Sequence, residues 1–351
     1  MFNQFLRQWG ILPSTNFNIH TCPSLSGKTA VITGGSDGIG ADIVKHLLLN
    51  DIAQPAAPDR TDRVRFIACD TADLAAIDRI GKEILSTLTR LDFLFLNAAR
   101  SFDPDYRLSY GVEITFATNH MGHFHLTQLL TPLLVASAPS RVVVTSSSLH
   151  MVVASKFGFD ELVSPTPPTS RGPAWDSWYR YGRSKLANIL FTRALAQHLP
   201  EGVVPNSFFP GSVPTEASAG WKYLIGEFGG SMVTVLLKLM GQTLEQGAAT
   251  AMYLAVGDAE EVGRGNYFVP VAVKEETSLL AADKEWAEEL WMWSAETVER
   301  ALSSEDKGEG KDLDGGASVN IPSELGKDMN GSASVNVPNE LLAHPVCLPP
   351  A

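Results

Sequence analysis

A glycine-rich turn between a short strand and a helix constrains the fold of this 351-residue chain more than any other feature. The β-branched segment 28–33 runs into Gly34-Gly-Ser-Asp-Gly-Ile-Gly40, and the helical run Ala41 to Asn50 follows. This order is typical of doubly wound α/β folds, in which the turn and the helix N-terminus bind a phosphate. The first glycine allows the tight turn, the third (Gly38) lets a pyrophosphate approach the backbone, and the last lets helix and strand pack closely.

A tyrosine and a lysine four residues apart carry the strongest indication of chemistry. Tyr181 and Lys185 open the run Tyr181 to Leu199, which reads as helix, so about one helical turn brings both side chains to the same face. A phenol titrates near ~10, and an adjacent ammonium stabilises the phenolate and lowers that pKa. The pair therefore predicts a general acid/base. Alone, this pattern is more often an aromatic ring beside a lysine on an amphipathic helix, so the prediction depends on the other motifs.

Two hydroxyl-bearing turns accompany this pair. The β-branched strand from Arg141 ends in three serines at 146–148, and the apolar run Val203 to Phe209 leads into Pro210-Gly-Ser-Val-Pro-Thr215. Either segment alone indicates an ordinary turn. Beside a phosphate-binding turn and an acid/base pair, a serine could bind a substrate carbonyl, and the 210–215 turn could present backbone donors to a ligand.

Together and in this order, these motifs resemble the short-chain dehydrogenase/reductase family, specifically its retinol-dehydrogenase-like branch, over roughly residues 26–302. The resemblance implies a doubly wound, Rossmann-like parallel sheet and hydride transfer between a nicotinamide cofactor and the carbonyl or alcohol carbon of a small lipophilic substrate. It implies the catalytic residues Asn119, Ser147, Tyr181 and Lys185, with Ser146 as the nearest alternative to Ser147. It implies the cofactor-binding residues Gly34, Ser36, Gly38, Ile39, Gly40, Asp70, Asn97, Ala98, Tyr181, Lys185, Pro210, Gly211, Val213 and Thr215.

The resemblance also implies a role for each catalytic residue. Ser147 and Tyr181 would hold the carbonyl oxygen, and Tyr181 would donate its proton to it. Lys185 would lower the pKa of Tyr181 and bind the cofactor ribose. Asn119 would hold a water molecule that connects Lys185 to solvent. The cofactor performs the redox step, while the protein supplies orientation and electrostatics.

The segment between the glycine turn and Asp70 departs from the family pattern. Only 29 residues separate Gly40 from Asp70, and the part 51–60 has two prolines and no β-branched run, which makes it a poor central strand. We therefore expect a shortened second β-α unit, with fewer than the family's seven strands or a distorted second strand. Asp70 should still follow a third strand at Phe66 to Asp70. A catalytically silent, dehydrogenase-like binding or scaffold protein is the alternative that this departure favours.

The same short segment normally distinguishes NADH from NADPH. Three arginines are available there to a 2′-phosphate, whereas two aspartates could bind a ribose hydroxyl and would repel a phosphate. Family habit in the retinol branch also favours NADP(H), so the sequence predicts NADP or NAD with a slight preference for NADP. The arginines are Arg60, Arg63 and Arg65, and the aspartates are Asp59 and Asp62.

Composition excludes several other classes. Lys and Arg total 27 against 39 Asp and Glu, and the net charge of −12 argues against binding to nucleic acid or to an acidic membrane surface. Three scattered cysteines indicate neither a disulfide framework nor a metal site. His120, His123 and His125 do not converge at helical spacing, so no metal is predicted. The absence of a long apolar run predicts no membrane span and a cytoplasmic location. A homodimer is left open.

The chain divides into three parts. Residues 1–26 form an N-terminal extension, and residues 27–302 form the Rossmann-like dehydrogenase domain, with an apolar substrate loop at about 216–242. We interpret that loop as a lid over a lipophilic substrate, and a plain core-facing or dimer-facing helix is the alternative. Residues 303–351 form a polar, low-complexity tail with two 16-residue repeats, at 310–325 and 326–341, for which disorder is expected.

Overall fold

The structure is a computed structural model that describes residues 15, 17–52, 64–169, 172–213, 222, 226, 228–232 and 242–306. Most of the predicted substrate loop and the predicted disordered tail beyond Asp306 lie outside the described residues. Arg60, Arg63 and Thr215 lie outside them as well.

The described strands combine one large sheet with one short hairpin. In chain order they are β1 (Ala30–Ile32), β2 (Phe93–Leu96), β3 (Leu108–Ser109), β4 (Val112–Glu113), β5 (Ser140–Thr145), β6 (Val203–Phe208), β7 (Tyr267–Val269) and β8 (Val273–Glu275). Six of them form the sheet in the order β1-β2-β5-β6-β7-β8, and β3 pairs with β4. The first five strands of the sheet run parallel, and β8 is antiparallel to β7.

Helices cover both faces of this sheet. Those that bear on the site are α1 (Gly38–Leu49), α2 (Leu74–Thr87), α3 (Gly122–Ala136), α4 (Pro173–His198), α5 (Leu244–Val256), α6 (Ala259–Val262) and α7 (Lys284–Asp306). Helices α1 and α5 pack together on one face, while α2, α3, α4 and α7 contribute to the core of the other. This arrangement confirms the predicted doubly wound α/β fold.

The central strands β2, β5 and β6 are buried along their whole length. Strands covered on both faces read as continuous apolar runs, because neither face meets water. Val142 and Val144 point into the core under α4, whereas Val143 points into the core under α1 and α5. Because successive side chains of a strand point to opposite faces, β5 contributes to the cores on both sides of the sheet.

Two helices begin earlier than the sequence predicts. Helix α1 begins at Gly38 rather than at residue 41, because the glycine turn itself forms its first helical turn. Helix α4 begins at Pro173 rather than at Tyr181, with the proline in the first turn, where a missing N–H costs nothing. The early start places Tyr181 more than two turns inside a rigid helix.

The predicted third strand at Phe66 to Asp70 is wrong. Residues 64–70 form no strand, and the Phe66 side chain is 49% exposed. A third strand in a doubly wound sheet pairs with the second strand, and none of the described residues forms a second strand beside β1. Among the described residues, residues 64–70 therefore have no strand to pair with. The predicted shortening of the second β-α unit falls mostly on residues 53–63, which lie outside the described residues.

The C-terminal boundary of the folded domain is testable by truncation. Helix α7 continues four residues past Leu302, to Asp306, and buries Trp286 and Leu290 against the body. We expect a chain that ends after Asp306 to keep the melting temperature and activity of the full chain, because 307–351 offers too little apolar surface to offset its ordering entropy of about 1–2 kcal/mol per residue. A large fall in melting temperature would contradict this.

Candidate active site

Four of the predicted site residues follow the carboxyl ends of neighbouring parallel strands. Gly34 comes after β1, Asn97 after β2, Ser147 after β5 and Pro210 after β6. Because the carboxyl ends of parallel strands share one edge of the sheet, these residues meet at the edge where doubly wound folds bind ligands.

The turn after β1 is built so closely that only glycine fits at two positions. Gly34 has φ +65°, and a Cβ there would lie 2.9 Å from the Cα of Ala98. A Cβ at Gly40 would overlap the carbonyl oxygen of Gly34. The turn is therefore held open by the absence of side chains, which lets a ligand approach its backbone.

The N-terminus of α1 suits a phosphate. Asp37 is its N-cap residue but makes no side-chain capping hydrogen bond, and the first amide that bonds within the helix is Ala41 N–H to Asp37 C=O, 3.2 Å. The amides of the first turn are free of intrahelical partners and carry the positive end of the helix dipole. Ser36 is exposed beside them. The residues present therefore fit the pyrophosphate of a dinucleotide.

Ser147 and Tyr181, which the sequence predicts to be catalytic, lie next to each other in the candidate site. The Ser147 side chain lies close enough to the Tyr181 hydroxyl to lower its pKa, and Ser147 is buried while Tyr181 is half-buried. Ser147 Oγ also accepts from Leu149 N–H at 3.2 Å. The alternative, Ser146, donates instead to the backbone oxygen of Lys185 at 2.7 Å and holds β5 against α4. The geometry thus favours Ser147 over Ser146 for contact with a substrate.

The electrostatics of Tyr181 and Lys185 differ from the sequence prediction. Burial raises the pKa of Tyr181 to about 12, although the nearby Ser147 side chain lowers it. Burial lowers the pKa of Lys185 to about 7. The Lys185 Nζ lies 5.5 Å from the centre of the Tyr181 ring and donates to Thr145 C=O at 3.1 Å. The sequence predicts a lowered pKa for Tyr181, but desolvation has the larger effect and raises it.

Asn119 is bonded within the protein rather than to Lys185. Its Oδ1 accepts from Arg100 N–H at 2.7 Å, and its Nδ2 donates to Arg100 C=O and to Ser184 Oγ, each at 2.9 Å. Asn119 lies in a π-helical turn, Ala117–Met121, that leads into α3. Such turns are frequent at functional sites. Ser184 Oγ in turn donates to Tyr181 C=O at 2.8 Å, so Asn119 is connected to the helix of the tyrosine.

The remaining predicted cofactor residues are placed in three ways. Pro210, Gly211 and Val213 are buried after β6, and Val213 N–H bonds Gly211 C=O at 3.0 Å. Ile39 packs close to Gly247 in α5, where an added Cβ would lie 3.3 Å from Ile39 Cγ1. Asp70 is exposed, and its Oδ1 accepts from Ala72 N–H at 2.9 Å.

Thr33 matches the threonine of the family's glycine turn, but sequence reasoning missed the hydrogen bonds of its hydroxyl, as well as the aromatic ring of Phe102. Thr33 Oγ1 accepts from Asn97 N–H at 2.9 Å and from Ala98 N–H at 3.1 Å, which fixes β1 to the end of β2. Phe102 lies 5.4 Å from Tyr181, ring centre to ring centre. Those bonds could have been expected from the position of Thr33 beside the glycine turn, whereas nothing in the sequence marks Phe102.

The three histidines at 120–125 contact three different partners. His120 Nε2 lies 2.9 Å from Ser294 Oγ, His123 Nε2 lies 2.8 Å from Thr33 Oγ1, and His125 Nε2 lies 3.5 Å from an oxygen of Asp78. Within the described ranges, no three His, Cys, Asp or Glu side chains are grouped to hold a metal ion. In the same part of the chain, no helix combines the length and apolar character that crossing a bilayer requires.

The fold and the cradle at its strand ends are those of a dinucleotide-binding protein of the doubly wound class, and comparison with known proteins specifies the family. Residues 28–160 match the family model described as short chain dehydrogenase. Mouse retinol dehydrogenase 13 is 32% identical over 309 residues, which cover 82% of this chain and 90% of the relative. Mouse retinol dehydrogenase 14 is 33% identical over 295 residues, which cover 76% of this chain and 84% of that relative.

A solved structure of an uncharacterized protein from Mycobacterium paratuberculosis has the same fold. It superposes with a TM-score of 0.58 at 22% identity, over 81% of this chain and 98% of that one. The chain belongs to the short-chain dehydrogenase/reductase family, in its retinol-dehydrogenase-like branch. It is an NAD(P)-dependent oxidoreductase that acts on CH–OH groups.

The buried lysine predicts a pH dependence of stability. The pKa of Lys185 falls from 10.5, its ordinary value, to about 7 in the folded protein, so between those two pH values the unfolded chain binds more protons. The contribution of Lys185 to the free energy of unfolding therefore rises as the pH increases between these two values. We expect Lys185→Met to raise the melting temperature at pH 6.5 and the gain to shrink by pH 9.5, below the range in which Tyr181 titrates. A gain that is equal at both pH values would contradict the assignment.

Proposed function

We propose that this enzyme uses Tyr181 as the general acid/base and Ser147 as the carbonyl-binding hydroxyl, with NADP(H) as the slightly preferred cofactor and a lipophilic alcohol or carbonyl compound as substrate. The closeness of the Ser147 and Tyr181 side chains, beside the Lys185 ammonium and at the strand edge that carries the glycine cradle, supports this best. The backbone of the glycine turn and the α1 N-terminus would hold the pyrophosphate.

The proposed reduction assigns one task to each side chain. The Ser147 and Tyr181 hydroxyls donate hydrogen bonds to the carbonyl oxygen and polarise it. Tyr181, neutral at physiological pH because burial raises its pKa to about 12, transfers its proton to that oxygen. The bound cofactor supplies the hydride. Lys185, in its charged form, stabilises the phenolate left on Tyr181.

Asn119 has a supporting role in this proposal. Its side chain is bonded to the backbone of Arg100 and to Ser184, and Ser184 is bonded to the backbone of Tyr181. These contacts support a task in holding the tyrosine helix in place. The water molecule that the family resemblance assigns to Asn119 remains a prediction.

An aromatic wall supports a lipophilic substrate. Phe102 packs on the ring of Tyr181 with its backbone at φ +48°, a left-handed conformation that is costly for a bulky residue and is found at functional sites. Trp178 lies about one turn before Tyr181 on α4, and Trp175 packs edge-on against it at 5.3 Å. Aromatic side chains beside a reactive hydroxyl favour an apolar substrate over a sugar.

Cofactor and substrate assays test the proposal directly. Purified protein would be titrated with NADPH and with NADH by fluorescence, and then assayed with retinol, retinaldehyde and aliphatic alcohols and aldehydes, since the relatives are retinol dehydrogenases. We expect binding of at least one cofactor and turnover of an apolar substrate. Binding of neither would favour a silent, dehydrogenase-like binding or scaffold protein, which no present finding supports.

The preference for NADP(H) gives a further prediction. Arg65 contacts Glu83 in the structure, and Arg60 and Arg63 precede it in the chain. We expect Arg60, Arg63 and Arg65, changed together to glutamine, to weaken NADPH binding more than NADH binding, because a guanidinium pairs with the 2′-phosphate. An equal loss for both cofactors would refute the assignment. A homodimer and a cytoplasmic location remain predictions from the sequence.

A further inference from the structure

A buried histidine joins the cofactor turn to the helix of Asn119. His123 is 1% exposed and is the second residue of α3, about one helical turn after Asn119. Its Nδ1 lies 3.1 Å from Asn119 C=O, and its Nε2 lies 2.8 Å from Thr33 Oγ1. The mechanism proposed above leaves this residue without a task.

The partners of His123 fix its tautomer. A carbonyl oxygen only accepts, so Nδ1 carries a proton and donates it to Asn119 C=O. Burial lowers the pKa of His123 to about 3, with a further contribution from the charge of Lys185, so the imidazole is neutral. Its Nε2 is then an acceptor and takes the hydroxyl proton of Thr33.

Because the Thr33 hydroxyl donates its proton to His123, its oxygen is free to accept hydrogen bonds from the backbone that follows β2. Its single proton has two nearby acceptors, His123 Nε2 at 2.8 Å and Phe95 C=O at 3.5 Å, and the shorter bond is the stronger one. With the proton held there, both lone pairs of Oγ1 are free to accept the Asn97 and Ala98 amides. Those amides fix the position of Asn97, whose Nδ2 donates to Thr33 C=O and Gly34 C=O at 3.3 and 3.2 Å.

We propose that His123 is a positioning residue that couples the cofactor cradle to the catalytic helix through hydrogen bonds that meet on the backbone and the side chain of Asn119. This chain of bonds runs through Thr33, His123, Asn119, Ser184 and the backbone of Tyr181. His123 orients the hydroxyl that holds the turn on one side and anchors the π-helical turn of Asn119 on the other.

Matched variants separate this coupling from simple loss of packing. Thr33→Val removes the hydroxyl at constant shape, and Thr33→Ser restores it. Thr127→Val is the control, because that buried hydroxyl bonds only the carbonyl of His123 within its own helix, at 2.7 Å. His123→Phe removes both ring bonds, and His120→Phe is its control, since the buried His120 bonds Ser294 on α7, away from the turn.

Cofactor affinity is the decisive measurement, and this expectation rests on the proposed cofactor site. We expect Thr33→Val and His123→Phe each to raise the cofactor Kd about tenfold, with the KM for cofactor rising in parallel and kcat at saturating cofactor changing less than about twofold. The double variant Thr33→Val/His123→Phe should lose no more cofactor affinity than the more strongly affected single variant. Thr33→Ser, Thr127→Val and His120→Phe should keep the wild-type Kd even where the melting temperature falls.

Two results would overturn the inference. Unchanged Kd in Thr33→Val and His123→Phe, with a fall in melting temperature like that of the controls, would leave His123 an ordinary core residue. Additive losses in the double variant would show that the two residues act independently. Wild-type protein that binds neither cofactor would contradict the proposed function instead. Urea unfolding of wild type, the two single variants and the double variant would then test the chain of bonds. Additive losses in the free energy of unfolding would also contradict it.

Discussion

Tyr181→Phe is expected to lower kcat by at least about 100-fold and to leave the Kd for NADPH and NADH near its wild-type value. The substitution keeps the ring that packs against Phe102 and removes the only proton that Tyr181 can transfer. General acid/base catalysis contributes about 10²- to 10⁴-fold, so its loss is measurable in steady-state kinetics.

Tyr179→Phe is the matched control for that experiment. Tyr179 lies two residues earlier on α4, where its ring packs against the Arg183 guanidinium at 5.2 Å, away from Ser147. The control should keep wild-type turnover. Near-normal turnover of Tyr181→Phe would show that Tyr181 is only a helix residue, even though the Ser147 contact and the family membership are both in place.

Arg180→Met is expected to lower the free energy of unfolding by about 3–5 kcal/mol, the largest stability effect that we predict. The guanidinium is fully buried, and it donates to Asp176 Oδ2 at 2.7 Å, to Glu113 Oε1 at 2.8 Å and to Asp103 C=O at 2.7 Å. Methionine fills much of the same volume but leaves two buried carboxyl groups without their cation. Burial already raises the pKa of Asp176 despite its bond to Arg180.

Urea unfolding, with Lys82→Met as the control, tests this prediction. Lys82 forms an ion pair with Asp78 on α2 at 2.6 Å, but its side chain is 67% exposed. Exposed pairs contribute about 0–1 kcal/mol, so the same substitution should be nearly neutral there. Equal effects of the two substitutions would mean that the buried network around Arg180 contributes little beyond packing.

The network around Arg180 also illustrates what the sequence could not reveal. Arg180 precedes Tyr181 directly, and its partner Glu113 caps the short helix at Ile114–Phe116, which leads to Asn119. The carboxylate lies 67 residues away in the chain. No periodicity or local motif connects two residues at that separation, so only folding pairs them.

Local signals did determine much of the architecture and the candidate site. Glycine at 34 and 40 is required by contacts within a few residues or with the next strand end, and the apolar runs at β2, β5 and β6 mark strands that are buried on both faces. The poor strand character of 51–60 predicts a shortened second unit, and that prediction falls mostly outside the described residues. The third strand was predicted wrongly because a strand needs a neighbour to pair with, and a pattern in one segment does not show whether the described residues supply one.

The sequence by itself determined the order of strand ends and the pairing of Tyr181 with Lys185 on one helical face, because both follow from chain direction and helical period. Tertiary structure decided which serine faces the tyrosine, since Ser146 is bonded to the Lys185 backbone and Ser147 is not. It also decided the pKa of Tyr181, because burial depends on what the rest of the chain packs around the phenol. Hydrogen-bond partners and desolvation are set by residues far apart in sequence, and the chain defines them only when it is folded.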